Sequence, residues 1–273
     1  MAHCDVVIPA FSKTEALVNM LDNAITSILA SDPSYDFNII IVEQDLEISW
    51  EHRGCTTIRP NMPWGYHKSL NQGATYGTAP LIAFCNSDLV FFPNWFANLK
   101  AVFDRETDLV SASPAEPGLT MAFNLLPERM PEGEHLYDLR YDYTVRDFLL
   151  GWILVLKRDF WQAEQPFDER YIGWYSDDDY AMVLSNGGFK HACIKSSGVQ
   201  HLVTATANLG DVWTACGAQD GAAYMAKWGH EQAFYPEEGT RNIHQWNSER
   251  TPKTYSAYVR NNDTGVIELK QFN

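Results

Sequence analysis

Apolar and polar residues alternate in blocks along the first 110 residues of the chain. Runs rich in Val, Ile, Leu and Phe predict buried strands, because apolar and β-branched residues fill the strands of a covered sheet. Between these runs, apolar residues recur at helical spacing and predict amphipathic helices. At the start of the first helix, Ser12 can act as the N-cap and Glu15 can complete a capping box. The strand-like runs are residues 5–11, 37–44, 56–60 and 80–88.

The pattern continues less regularly through the rest of the chain. The stretch 111–136 is rich in Pro and Gly and predicts loops over the sheet. Further predicted elements are helices at 66–76, 93–103 and 176–189, a strand running into a short helix at 151–161, and short strands at 191–194 and 198–203. Strand and helix alternate, which predicts an α/β fold with a mostly parallel, Rossmann-like central sheet flanked by helices.

Charge and composition disfavour several classes of protein to which this chain could belong. A formal net charge of −15 disfavours broad attraction to nucleic acid or to an anionic membrane. No apolar run reaches the roughly 18 residues that a membrane span needs, and the N-terminus lacks the pattern of a signal peptide. The cysteines are scattered and odd in number, which predicts reduced thiols in a cytoplasmic protein. They are Cys4, Cys55, Cys85, Cys193 and Cys216.

Three polar features are candidates for chemistry. Asp88 follows the apolar run 80–88, at the carboxyl end of a predicted strand, which is where ligands bind in open α/β sheets. A cluster of acids, residues 177–179, opens a predicted helix, and His201 lies near the end of a predicted strand. A carboxylate and an imidazole can together bind Mn²⁺ or a similar ion, and a separate carboxylate can take a proton from an attacking hydroxyl.

Several segments, in order, resemble one known family. They are the first strand and helix, "VVIPAFSKTEALVNMLDNAITSI"; the second strand, "IIIVEQD"; the stretch ending in "CNSD"; the segment "FDERYIGWYSDDDYAMVLSNGGFKH"; and "VQHLV". Together they resemble the GT-A-fold glycosyltransferases, and most of all the family-2-like inverting enzymes that use nucleotide sugars. The resemblance extends from residue 4 to about residue 205.

The resemblance implies roles for individual residues. Asp88 and His201 are the implied ligands of Mn²⁺ or Mg²⁺. Asp177 is the implied catalytic base, and Asp178 takes that place if the register slips by one residue. The implied donor-binding residues are Pro9, Ala10, Phe11, Glu15, Glu43, Asn71, Asn86 and Ser87. The implied acceptor-side residues are Trp152, Trp174 and Asp179.

The resemblance also implies an organisation and a reaction. We expect a GT-A core at residues 1–206, with a nucleotide-binding half at 1–110 and an acceptor-side half at 111–206, followed by a C-terminal extension at 207–273 packed on the core. The expected reaction is metal-dependent, inverting transfer of a hexosyl or pentosyl group from a nucleoside-diphosphate sugar to a hydroxyl of a glycan or another acceptor. UDP is the expected leaving group, by family frequency.

Two alternatives stay open at this point. The first is a catalytically silent protein that binds nucleotide sugars or glycans, because Asn86 and Ser176 stand where the family carries acids. The second is a glycosyltransferase acting on a modified DNA base. The last 33 residues allow it, with five Lys and Arg against three Asp and Glu, while the net charge of the whole chain disfavours it.

Overall fold

The structure is a computed structural model that describes residues 2–44, 54–60, 65–116, 135–137, 149, 151–202, 211–229, 255–260 and 267–272. Most of the stretch predicted to loop over the sheet lies outside these residues, as does much of the C-terminal extension. The strands are β1 Cys4–Ala10, β2 Phe37–Glu43, β3 Thr56–Ile58, β4 Leu81–Cys85, β5 Leu89–Phe91, β6 Leu109–Ala115, β7 His135–Tyr137, β8 Ile153–Lys157, β9 Lys190–His201, β10 Tyr255–Arg260 and β11 Ile267–Phe272. The helices are α1 Glu15–Ser31, α2 Tyr66–Ala74, α3 Trp95–Arg105, α4 Arg158–Glu164, α5 Ser176–Gly187 and α6 Asp211–Trp228.

One sheet organises the described core. Its strand order is β3-β2-β1-β4-β8-β6-β9-β5, with β7 also paired to β9. The strands β1, β2, β3 and β4 are parallel, β8 runs against β4 and β6, and β6 is parallel to β9. The predicted fold class, mixed α/β with a mostly parallel sheet, is therefore confirmed. The β10–β11 hairpin forms a separate antiparallel pair.

Both faces of the sheet are covered, which explains why its strands are apolar along their length. On one face, Val7 of β1 packs with Leu70 and Ala74 of α2. On the other face, Ile8 of β1 packs with residues of α1 and α3, including Leu21. None of the described helices has the length and apolar character needed to cross a membrane.

Two helix starts differ from the prediction. The N-cap of α1 is Thr14, whose hydroxyl accepts from the amide of Leu17, and Ser12 is buried before the helix instead. The helix predicted from Pro93 begins two residues later, at Trp95. Its first turn is capped from outside, because the buried carboxylate of Asp32 accepts the Phe96 amide at 2.8 Å. A cap supplied from another helix leaves no local signature in the sequence.

The strand predicted at 80–88 ends at Cys85, and this early end determines where Asp88 lies. The ladder with β8 stops at Cys85, and the amide of Asn86 donates to the carbonyl of Trp152 at 2.9 Å. The chain then turns through 86–88 and resumes as β5, which pairs antiparallel with the end of β9. Asp88 therefore lies at the junction between two strands.

Two other predicted features of the sheet were wrong. Residues 111–115 belong to the strand β6, although the Pro- and Gly-rich composition predicted a loop there. The short strands predicted at 191–194 and 198–203 are one continuous strand, β9, whose register against β6 shifts between Ile194 and Gly198. Such a bulge accommodates extra residues. At the bulge, Ser197 donates to the Trp95 carbonyl at 2.7 Å, so its hydroxyl is satisfied although it is buried.

Candidate active site

The structure brings the two predicted metal ligands together. Oδ1 of Asp88 lies 3.2 Å from Nε2 of His201, and the two side chains are 6% and 18% exposed. The pairing of β5 with β9 causes this contact, because Leu89 is the register partner of His201. The amide of Leu202 donates to the Asp88 carbonyl at 2.9 Å and extends that pairing. Residues separated by more than 100 positions in the chain thus meet at one strand end.

The imidazole of His201 is fixed by neighbours on both the ring and the backbone. The Trp152 ring stacks on it, with centroids 5.3 Å apart and an angle of 19° between the planes. The backbone amide of His201 donates to a carboxylate oxygen of the buried Glu116 at 3.3 Å. Trp152 was predicted on the acceptor side, and the structure places its ring against the candidate metal ligand. Glu116 carried no sequence signal, because its partner lies 85 residues away.

The spacing of this pair fits a divalent ion. Neighbouring ligands of an octahedral ion with bonds of about 2.1 Å are separated by about 3.0 Å. The observed 3.2 Å is close to that separation, and it is also a hydrogen-bond distance. Carboxylate and imidazole together suit Mn²⁺. Among the described residues, no group of three or more His, Cys, Asp and Glu is arranged to hold a metal.

Asp177 lies against the chain that leads into β8. It is in the first turn of α5, and a Cβ added to Gly151 would lie 2.7 Å from its Cβ and from its Oδ2. Gly151 is directly followed by Trp152, whose ring stacks on His201. The absence of a side chain at position 151 therefore allows Asp177 to approach this segment closely.

Tyr66 connects the turn that carries Asp88 to the segment that carries Gly151 and Trp152. Its hydroxyl donates to Oδ1 of Asn86 at 2.9 Å and lies 3.4 Å from the Gly151 carbonyl. Burial raises the pKa of Tyr66 well above its usual value, and the charges of Cys85, Asp177 and Asp88 raise it further. Its hydroxyl thus stays protonated and can donate to Asn86. Nothing in the sequence pattern distinguishes Tyr66, because it stands at the start of an ordinary helix.

The two candidate bases face different neighbours. Asp177 acts electrostatically on Tyr66, together with Asp88. Asp178 acts on Tyr224 of α6, where burial and this carboxylate raise the phenol pKa. Asp177 also packs against Gly151, on the chain that leads to Trp152.

The predicted donor-binding residues of the first strand form one edge of the site. Pro9 and Ala10 end β1, and Phe11 follows, with the ammonium of Lys13 5.5 Å from its ring centre. Glu43 ends the neighbouring strand β2, is buried, and accepts the Ser12 amide at 3.2 Å. Glu15 is exposed in the first turn of α1. The loop before this helix is thus held to the end of β2. Ser87 lies beside Asp88 and is half-buried.

Two predicted site residues are held by hydrogen bonds to other parts of the protein. Asn71 donates to the Phe167 carbonyl at 2.9 Å and to a carboxylate oxygen of Glu169 at 3.1 Å, so it joins α2 to the loop 165–175. Asp179 is fully buried, and its oxygens accept from Tyr171, Lys227 and Trp228. Asp179 was predicted on the acceptor side. In the structure it joins α5 to α6.

Trp174 is the predicted acceptor-side residue that has an open surface. It is 49% exposed, and its indole lies beside Gly217 of α6. It precedes Asp177 by three residues. A large aromatic side chain that is half exposed is a suitable surface for a ring-shaped ligand.

Comparisons with known proteins agree with the fold. The model of the family described as glycosyl transferase family 2 matches residues 5–163, more than half of the chain. A search of curated protein sequences found no match. Among solved structures, GalNAc-T7 with UDP, GalNAc and Mn²⁺ is 12% identical, with a TM-score of 0.56 over 74% of this chain and 44% of that one. The chain thus spans less than half of GalNAc-T7.

Two further solved structures are similar over most of the chain. The mannosyltransferase PcManGT from Pyrobaculum calidifontis, in complex with GDP-Man and Mn²⁺, is 14% identical, with a TM-score of 0.58 over 89% of this chain and 68% of that one. Residues 1–349 of S. aureus TarS are 10% identical, with a TM-score of 0.54 over 88% and 69%. At such identities, the similarities show a shared fold.

Proposed function

Because the chain belongs to glycosyl transferase family 2, we propose that it is a metal-dependent, inverting enzyme that moves a sugar from a nucleoside-diphosphate sugar to an acceptor hydroxyl. The observation that supports this proposal most is the grouping of Asp88, His201 and Asp177 around Tyr66 and the 151–152 segment. This grouping lies at the carboxyl ends of β1 and β4, where an α/β sheet binds its ligands.

The donor is proposed to lie across the ends of β1 and β4. Its base and ribose would contact the edge formed by residues 9–11, Glu15 and Glu43, and its diphosphate would approach Asp88 and His201. Mn²⁺ or Mg²⁺ held by this pair would neutralise charge on the departing diphosphate. Asn86, oriented by the Tyr66 hydroxyl, would face the sugar or ribose. UDP is the proposed nucleotide. Because the two solved complexes contain UDP and GDP-Man, both nucleotides belong in the test.

Asp177 is proposed to take the proton of the attacking hydroxyl. The hydroxyl oxygen forms a bond to the anomeric carbon, the bond from that carbon to the diphosphate oxygen breaks, and the proton passes to a carboxylate oxygen of Asp177. A single in-line displacement inverts the configuration at that carbon. Trp174 would hold the acceptor, because its exposed indole stands three residues before the base. The Trp152 ring would keep His201 in place.

Matched variants of the two neighbouring acids test this proposal. With Mn²⁺ and a panel of UDP-sugars and GDP-mannose, the wild type should hydrolyse or transfer at least one donor. Asp177→Asn should lower that rate by about 100-fold or more, since general base catalysis contributes about 10²–10⁴-fold. Asp178→Asn is the control and should remain within a fewfold of wild type. Both variants should bind the nucleotide as wild type does. Equal activity in Asp177→Asn and wild type would exclude this base.

The same assay separates the enzyme from a silent binding protein. Tight binding of UDP or GDP, with no turnover of any donor and no transfer to any glycoside, would favour the silent protein. Chelation of the metal with EDTA should abolish turnover of the enzyme, and added Mn²⁺ should restore it.

A further inference from the structure

One face of α6 holds the segment that leads to the proposed base. The residues of this face are spaced three, four and seven positions apart, as one side of a helix requires. The family match ends at residue 163, so this contact and the base both lie beyond it. The face consists of Gly217, Asp220, Gly221, Tyr224, Lys227 and Trp228.

The carboxylate of Asp220 binds three successive backbone amides. Its Oδ1 accepts from Ile172 at 2.9 Å, and its Oδ2 accepts from Gly173 at 2.9 Å and from Trp174 at 2.8 Å. Asp220 is fully buried. A buried carboxylate is costly unless it is hydrogen-bonded, and these amides would otherwise lack a partner within a helix or strand. The contact therefore fixes the backbone immediately before Tyr175.

Tyr175 carries the constraint from these amides into α5. Its φ angle is 59°, in the left-handed region that bulky residues rarely adopt, so surrounding contacts must hold it. Its ring packs against Tyr224, with centroids 5.2 Å apart, and against Gly221, where an added Cβ would lie 3.3 Å from a ring carbon. Its carbonyl accepts the Asp179 amide at 2.8 Å. Asp177 lies between these two residues.

The same segment also contacts Tyr66, which bonds a residue of the turn before Asp88. The Ile172 carbonyl accepts the amide of Tyr66 at 2.7 Å, and the Tyr66 hydroxyl bonds Asn86. The segment 172–175 is thus held between α6 and α2, with the exposed Trp174 indole on it.

We propose that Asp220 is a positioning residue for transfer, which fixes residues 172–174 and, through the turn at Tyr175, the place of Asp177 and Trp174. This inference rests on the proposed function, because it assigns Asp177 the part of the base. It gives α6 a role in the reaction.

Asp220→Asn tests the proposal with little change in shape. The amide group replaces one acceptor oxygen with a donor, so at least one backbone N–H of 172–174 faces another donor. We expect the kcat of donor hydrolysis to fall roughly 10-fold, since an error of about 1 Å in the placement of a catalytic group costs up to 10²-fold. Gln219→Ala, at the exposed neighbouring position, is the control and should match wild type.

Binding of UDP or GDP with Mn²⁺ separates positioning from loss of folded protein. Under the proposal, Asp220→Asn binds one nucleotide per chain with the Kd of wild type while its kcat falls, and hydrogen exchange at 172–174 becomes faster. A fall in binding stoichiometry that matches the fall in rate would overturn the proposal, as would a kcat within twofold of wild type. If the wild type hydrolyses no donor, or if Asp177→Asn is fully active, the proposed function fails, and this inference fails with it.

Gly221→Ala keeps the test decisive if Asp220→Asn does not fold. Alanine favours the helix over glycine, so the melting temperature should not fall. The added methyl group would press on the Tyr175 ring, and we expect the kcat to fall about threefold with unchanged nucleotide binding. Wild-type kcat in this variant would contradict the proposed path from α6 through Tyr175.

Discussion

Replacing Gly151 with alanine should damage catalysis while donor binding stays intact. The added Cβ would lie 2.7 Å from the Cβ and from Oδ2 of Asp177, and 2.9 Å from its Cγ. Ordinary van der Waals contact begins at 3.4 Å, so the carboxylate must move by about 0.7 Å. The φ angle of Gly151 is not in the left-handed region, so alanine is compatible with the backbone.

A displacement of this size sets the expected magnitude. Misplacing a catalytic group by about 1 Å costs up to roughly 10²-fold in rate, so we expect the kcat of donor hydrolysis to fall by about 10- to 100-fold. The metal pair is not the group that the methyl meets, so the Kd for UDP or GDP with Mn²⁺ should stay within twofold of wild type. Steady-state hydrolysis and calorimetry measure the two quantities.

The control is a second glycine-to-alanine change with no clash. At Gly217 in α6, an added Cβ would lie 3.7 Å from the nearest atom, in the Trp174 ring, which is ordinary contact. Gly217→Ala should hydrolyse donor at the wild-type rate and be more stable by up to about 1 kcal/mol. The reasoning fails if Gly151→Ala keeps wild-type kcat, or if its defect lies in nucleotide binding.

Three further predictions follow from the same contacts. Tyr66→Phe keeps the ring and removes the hydroxyl that holds Asn86, so kcat should fall about fivefold, the equivalent of one neutral hydrogen bond. Arg158→Met removes the cation that pairs with the buried Asp5 carboxylate, so urea unfolding should show a loss of about 3 kcal/mol, and an added Asp5→Asn change should restore part of it. Hydrogen bonds from Arg170, and a further one from Lys227, hold the pKa of Asp168 well below its usual value. The folded state therefore binds this proton less readily, so the stabilisation by Asp168 should be full above about pH 4 and decline below it, and the difference in stability from Asp168→Asn should shrink there.

The sequence predicted the parts of this structure that depend on local pattern. The apolar runs marked the parallel strands because both faces of the sheet are buried, and Asp88 stood out because it interrupts such a run. The prediction of β9 as two strands shows the limit of this reasoning. Polar residues at 195–197 look like a break, but Ser197 is satisfied by the Trp95 carbonyl, 102 residues away in sequence. A partner at that distance has no signature in the pattern.

The same limit explains the residues of the site that were missed or misread. Asp177 and Asp179 are indistinguishable as acids in the first turn of a helix. The structure separates them, because Lys227 and Trp228 bury Asp179 while Asp177 approaches Gly151. Asp220 lies more than 40 residues beyond the loop that it binds. Its role depends on how α6 packs, which no spacing within the chain reveals.

A crystal structure with UDP and Mn²⁺ bound would test the central claim most directly. We expect the metal at bonding distance from both Oδ1 of Asp88 and Nε2 of His201, with the diphosphate on the same ion and the Asp177 carboxylate across an open groove from it. A nucleotide bound elsewhere, or a metal that leaves Asp88 and His201 bonded only to each other, would contradict the account.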